Sequence, residues 1–213
     1  SNLTQLTHST VYGSSANEGA TDFVIDATNN IYIYGTSGNA NDLPATSTPF
    51  SPAYAAAGST ASFIAKFDTN FSQFLAFTFV QASSTTFANG IALDSNSNVW
   101  VTGQTAGTNF PTSSNAFQPV KSSGTYDAFI TQFNPGLSAV LHSTYLGGTG
   151  DDIGDSLAFD DSGSVYVFGT TQSTDFPNTT TLIEQVKKDW AVLKQQEMIR
   201  LSHSIQTLPS EFP

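Results

Sequence analysis

Asp151, Asp152 and Asp155 lie within the glycine-rich stretch Gly147-Gly-Thr-Gly-Asp-Asp-Ile-Gly-Asp155 and form the densest group of carboxylates in the chain. Several oxygen ligands on a flexible loop are what a hard cation such as calcium requires, so these three are the candidate calcium ligands. Against that chemistry, the corresponding stretches Ser15-Ala-Asn-Glu-Gly19 and Ala82-Ser-Ser-Thr-Thr86 lack the cluster. A solvated turn is the expectation, with no cofactor and no metal. Asp26, Asp94 and Asp160 open three further polar stretches, Asp26-Ala-Thr-Asn-Asn30, Asp94-Ser-Asn-Ser-Asn98 and Asp160-Asp-Ser-Gly-Ser164. Their spacing echoes the start of a calcium loop, but none has the distant Glu that completes one. Asp and Asn side chains bond to nearby backbone and tolerate left-handed geometry, so these three read as structural turn residues.

Nucleophilic chemistry finds little support. His8 and His142 each precede Ser-Thr, but adjacent residues on a strand point to opposite faces, so neither His–Ser pair can act as base and nucleophile. There is no cysteine, hence no thiolate metal site, and the chain contains no nucleophile elbow, zincin helix motif or P-loop. No catalytic residue is assigned, and the chain is expected not to be an enzyme.

Composition narrows the class further. Charged residues make up only 11% of the 213, the net charge is −11, and residues 1–180 contain just two basic side chains, Lys66 and Lys121. Nucleic acid is therefore excluded as the expected partner, since binding phosphates takes a cluster of Lys and Arg. No apolar run is long enough for a transmembrane helix. A surface solubilised by Ser, Thr and Asn rather than by Lys and Glu fits an extracellular bacterial protein, secreted or on the cell surface.

The elements that would position these residues recur. Asp22-Phe-Val-Ile-Asp26, Asn89-Gly-Ile-Ala-Leu-Asp94 and Ser156-Leu-Ala-Phe-Asp160 are β-prone runs whose closing Asp residues are 68 and 66 residues apart. Ile31-Tyr-Ile-Tyr34, Val99-Trp-Val-Thr102 and Val165-Tyr-Val-Phe168 follow, expected to end at Gly35, Gly103 and Gly169 with the same separations. Phe63-Ile-Ala-Lys-Phe67 and Phe129-Ile-Thr-Gln-Phe133 supply a third strand type. Leu6-Thr-His-Ser-Thr10, Leu75-Ala-Phe-Thr-Phe79 and Leu141-His-Ser-Thr-Tyr145 supply a fourth. Four strand types at a period well above 40 residues indicate radially repeated four-stranded sheets. Proline-bearing loops, such as Asn109-Phe-Pro111 to Pro119, separate the second and third strands.

The residues GGTGDDIGDSLAFDDSGSVYVFGTTQSTDFP, and SSNAFQPVKSSGTYDAFITQFNPGLSAVLHSTYLGG before them, resemble the bacterial SBBP beta-propeller repeat, over about residues 6–178. The resemblance implies blades like those of NHL propellers, with the Asp-ending strand nearest the axis and the Leu-His-Ser-Thr strand outermost. On that basis the fold class is all-β: residues 1–180 form about two and a half four-stranded β-propeller blades of an incomplete ring, and residues 181–213 a separate tail. That tail, free of Gly and Pro from Thr181 to Thr207, is predicted to be an amphipathic α-helix with a capping box at Thr181 and Glu184. Its apolar side, Leu182, Val186, Trp190 and Leu193, is expected at an assembly contact. The function expected is a non-enzymatic interaction scaffold for a protein or glycan partner. The alternatives are a self-assembling structural subunit, which would make the chain a homo-oligomer, and a propeller-type hydrolase or lyase.

Overall fold

The computed structural model describes residues 4–38, 43, 60–177 and 197–201. Eleven strands are present among them and no helix: β1 (Glu18–Ile25), β2 (Ile31–Ser37), β3 (Ala61–Phe67), β4 (Phe74–Val80), β5 (Thr86–Leu93), β6 (Val99–Thr105), β7 (Asp127–Phe133), β8 (Val140–Leu146), β9 (Asp152–Phe159), β10 (Val165–Thr171) and β11 (Glu197–Leu201). They form three antiparallel sheets, β1-β2-β3-β4, β5-β6-β7-β8 and β9-β10-β11, called here blades 1, 2 and 3. Consecutive strands pair throughout, and β1 touches β5 as β5 touches β9, so the first strand of each sheet lies innermost. These are β-propeller blades, as the repeat period requires.

Alternation sets the blade faces. In β2, Tyr32 and Tyr34 point one way and Ile31 and Ile33 the other; β6 divides Val99 and Val101 from Trp100 and Thr102 in the same manner. Between blades 1 and 2, Tyr32, Tyr34 and Ile64 meet Ile91, Val99, Val101 and Leu137 in one buried cluster. Between blades 2 and 3, Trp100, Ile130 and Leu146 meet Leu157, Val165 and Val167. Each sheet thus has an upstream face that receives the blade before it and a downstream face that meets the blade after.

The three glycines expected to end the second strands instead sit inside them. A side chain on Gly35, Gly103 or Gly169 would place its Cβ only 2.3, 2.0 or 2.1 Å from a carbonyl oxygen of the innermost strand, that of Gly19, Phe87 or Ile153. At or next to each of these positions the pairing register slips, as between Ala88 and Gly90 opposite Gly103. The glycines therefore mark β-bulges, where the inner strand bends against its neighbour.

The tail expected as a helix is described only over Glu197–Leu201, and there it is a strand, paired antiparallel with β10 from Val165↔Leu201 to Gly169↔Glu197. The physical reason lies at the edge of β10, whose backbone N–H and C=O groups would otherwise lack a strand partner. Leu182, Val186, Trp190, Leu193 and the remainder of 178–196 and 202–213 lie outside the described residues, as do residues 1–3, 39–42 and 44–59.

Candidate functional site

The three repeated Asp residues follow the innermost strands and hold the hairpins to the second strands by one design. Asp26, Asp94 and Asp160 each donate their backbone N–H to the carbonyl four residues on and accept, at their own carbonyl, the N–H of the residue three on. That fourth position has a positive φ in all three turns: 63° at Asn29, 62° at Ser97 and 82° at Gly163. The carboxylates close the loop from within. Asp94 Oδ1 accepts the backbone N–H of Asn96 and of Asn98, both at 2.9 Å, while Oδ2 accepts Asn98 Nδ2 at 2.9 Å and Trp100 Nε1 and Gln132 Nε2 at 3.0 Å each. Asp26 accepts from Thr28, Asn30 and the Tyr32 hydroxyl, with Lys66 Nζ 3.6 Å away and stacked over the Tyr32 ring. Asp160 accepts from Ser162, Ser164 and the Tyr166 hydroxyl. Desolvation works against the charge at Asp26 and Asp94, but the donated hydrogen bonds outweigh it and hold both carboxyls below the usual carboxylate range. At Asp160 the bonds from Ser162 and Ser164 take the value down to about 2.

The acidic loop does not converge. Asp151 Oδ1 accepts the backbone N–H groups of Thr125 (2.6 Å) and Tyr126 (3.1 Å), tying the loop to the strand entry of blade 2. Asp152 is fully buried at the head of β9, where Oδ2 accepts Gly148 N–H at 2.8 Å and Ser173 Oγ at 2.7 Å. Asp155 is exposed within β9 and faces Thr170 Oγ1 at 3.4 Å. Three carboxylates that each serve a different segment do not form a ligand set, and no group of three His, Cys, Asp or Glu is arranged to hold a metal among the described residues.

A buried charge cluster that the sequence reading missed lies beside it. Asp127, at the head of β7 and fully buried, accepts Ser122 N–H at 2.8 Å and Gln118 Nε2 at 3.1 Å, and Lys121 Nζ stands 3.5 Å from its other oxygen. A Cβ on Gly147 would lie 2.7 Å from Asp152 Oδ2 and 2.8 Å from Asp127 Cγ, so the two carboxylates flank the bare Cα between them. Burial raises the Asp152 carboxyl above its ordinary value, and the Asp127 charge adds to the effect. The signal for Asp127 in the sequence is an acid where blade 1 has Ala61, at the start of the strand Asp127–Phe133.

The open surface is on blade 1. Phe23, Ile91 and Leu157 are equivalent residues of β1, β5 and β9, yet they are 61%, 5% and 8% exposed. Around Phe23 runs a groove of about 420 Å³ lined by Ala20, Thr21, Asp22, Phe23, Ile25, Ile31, Ile33 and Phe71. Asp22 is already engaged there, since its Oδ2 accepts Ile91 N–H at 3.1 Å. His142 lies on β8 opposite Gln132, and His8 precedes β1 outside any strand.

Two sheets of four antiparallel strands and a third of three, stacked face to face with their first strands innermost, are consistent with the blades of a β-propeller. Residues 79–111 and 143–177 match the family model of the SBBP beta-propeller repeat, so the chain carries SBBP repeats. The first match runs from the end of β4 through the β5–β6 hairpin, and the second from β8 through the β9–β10 hairpin. No curated protein matches the chain closely enough to count as a relative.

Proposed function

We propose that this chain is a non-enzymatic interaction scaffold, secreted or displayed at a cell surface, whose blades present a face for a protein partner. One observation carries the reading: the upstream face of blade 1 leaves Phe23 61% and Ile25 54% exposed, where blades 2 and 3 bury Ile91 and Leu157 and half-bury Leu93 and Phe159. A contiguous apolar surface of this kind is rare on a protein that functions alone. Its lining favours a protein's apolar side chains over a glycan, because among the described residues Thr21 and Asp22 are the only polar ones in it. The same face supports a self-assembling structural subunit as the second reading. The repeated Asp26, Asp94 and Asp160 carboxylates are engaged in holding their own hairpin turns, which agrees with a scaffold.

The test is Phe23→Asp. The variant should keep its strand circular dichroism but lose most of the fluorescence enhancement of an anilinonaphthalene sulfonate dye, because the groove is what the dye enters. A dye response equal to that of the unaltered chain removes the basis for this surface. Turnover of any substrate in an ester and glycan panel, abolished by His142→Ala, would overturn the non-enzymatic part.

A further inference from the structure

Residues 1–180 contain two lysines, and the structure uses them differently. Lys66 lies over the Tyr32 ring beside Asp26, and its Nζ reaches the Pro135 carbonyl at 3.3 Å across the junction of blades 1 and 2. Lys121 is turned inward. Its side chain is only 4% exposed, and Nζ donates to the carbonyls of Gly124 and Ser122 while standing 3.5 Å from Oδ1 of the fully buried Asp127, six residues on. At that separation no hydrogen bond closes, and Asp127 Oδ1 accepts none from any other group. The other oxygen is well supplied, since Oδ2 accepts Ser122 N–H at 2.8 Å and Gln118 Nε2 at 3.1 Å. Asp152 lies beside the pair, past the bare Cα of Gly147, and its own Oδ1 is buried without a hydrogen bond. A buried amine, a carboxyl carbon within its reach, two donors on one oxygen and a second acid are thus gathered in one place.

We propose that Lys121 and Asp127 become joined by an isopeptide bond, Nζ to Cγ, formed inside the folded blade with release of one water. Burial favours the reaction, because an ammonium and a carboxylate held out of water are destabilising and an amide carries neither charge. Proximity favours it too, since one short loop holds the nucleophile against the carbon it attacks. The ammonium first passes a proton to Oδ1, leaving an amine in contact with an acid. The nitrogen lone pair then attacks Cγ, and the electrons of the carbonyl bond move onto Oδ2, where Ser122 N–H and Gln118 Nε2 stabilise the charge. Asp152 takes the second proton from nitrogen and returns it to Oδ1, a task suited to a carboxyl whose hold on a proton burial has raised. The Cγ–Oδ1 bond breaks, water leaves, and Oδ2 stays as the amide oxygen on the same two donors. Blade 1 has Ala61 in place of Asp127 and Ala55 six residues before it, so the acid and the lysine are absent together. The bond fastens to β7 a loop that covers the outer edge of β8, where Ser113 N–H meets Ser143 C=O at 2.9 Å and Tyr145 N–H meets Gln118 C=O at 3.1 Å.

Mass spectrometry of the denatured full chain reads the bond directly. The unaltered protein is expected to be lighter than its sequence by one water, trypsin to leave the chain uncut after Lys121, and fragmentation to give no cleavage ions between residues 121 and 127. A full sequence mass with cutting after Lys121 overturns the proposal, as does a lost water that maps elsewhere. Lys121→Arg keeps the charge but is expected at its full sequence mass; a lost water that persists in it refutes Lys121 as the nucleophile. Asp127→Asn should reach the same final mass as the unaltered chain, with ammonia leaving in place of water and the carboxamide oxygen seated where Oδ2 was. If that variant keeps its strand circular dichroism and also its ammonia, attack at Cγ is overturned. Asp152→Asn should arrive at the same final mass, but on the order of 10²-fold more slowly in freshly prepared protein. A rate equal to that of the unaltered chain overturns Asp152 as the proton carrier.

Discussion

Asp94→Asn isolates what one turn carboxylate contributes, because the two side chains are nearly isosteric and leave no cavity. Asparagine keeps an oxygen for the Asn96 and Asn98 backbone N–H groups. On the other side it turns an NH2 toward three donors that now meet Oδ2: Asn98 Nδ2, Trp100 Nε1 and Gln132 Nε2. The Asn98 and Gln132 amides can rotate to offer oxygen, but the indole has no acceptor to present. Leaving one such donor unmatched costs about 1–3 kcal/mol. With partial relief at the amides, a loss of about 2 kcal/mol is expected, which for a chain of this size lowers Tm by about 4–8 °C. Urea unfolding followed by tryptophan fluorescence measures it. The pH dependence has a definite sign: the folded carboxyl lies below its unfolded value, so its stabilisation is complete above the ordinary carboxylate pKa of about 3.9 and is lost as pH falls through the folded value. The gap between wild type and Asp94→Asn should therefore close in acid. A variant within about 0.5 kcal/mol of wild type at pH 7, or a gap unchanged at pH 2, would refute the account of the turn.

Four further outcomes are expected. Gly103→Ala puts a Cβ 2.0 Å from the Phe87 carbonyl oxygen and should cost about 3 kcal/mol or more in denaturant unfolding, by forcing β5 and β6 apart. Tyr145→Phe deprives Phe110 N–H and Gly107 C=O of the hydroxyl they share, at 2.8 and 2.7 Å, and should cost about 1–3 kcal/mol by thermal denaturation, although blade 1 has Phe79 at that place. Asp152→Asn should melt higher than wild type at pH 7: the folded carboxyl holds its proton more tightly than the unfolded one, so its ionised form counts against the fold at neutral pH and ceases to as pH falls toward 4. Millimolar calcium in place of a chelator should move Tm by less than about 1 °C, since Asp151, Asp152 and Asp155 answer to different segments; a strong rise abolished by Asp152→Asn would restore a cation site.

The blades were legible because their evidence is periodic. Asp26, Asp94 and Asp160 and the strands on either side repeat with the same two separations, and three copies of a weak strand signal outweigh one strong one. Where a feature occurs once, the reading faltered. Asp127 replaces an alanine of blade 1, and its meeting with Asp152 across Gly147 depends on how blades 2 and 3 stack, which no local pattern encodes. The glycines were seen at the right positions but assigned the wrong task, since a strand end and a bulge leave the same mark in sequence. The helix expected from Thr181 onward lies almost wholly outside the described residues, and the five that are described, Glu197–Leu201, pair as a strand with an edge about thirty residues earlier.

Blades 1 and 2 are each built from four consecutive strands, so the repeat in the polypeptide and the repeat in space coincide, and the chain passes from one sheet to the next through a single outer-to-inner connection. A tandem duplication or deletion of one 66- or 68-residue period that begins at such a connection would therefore add or remove a whole blade, and the new neighbours would meet through the same kind of junction. Genes built this way can lengthen or shorten by whole cassettes through unequal recombination without leaving an unmatched seam. Selection can then act on the number of copies as freely as on the residues within them.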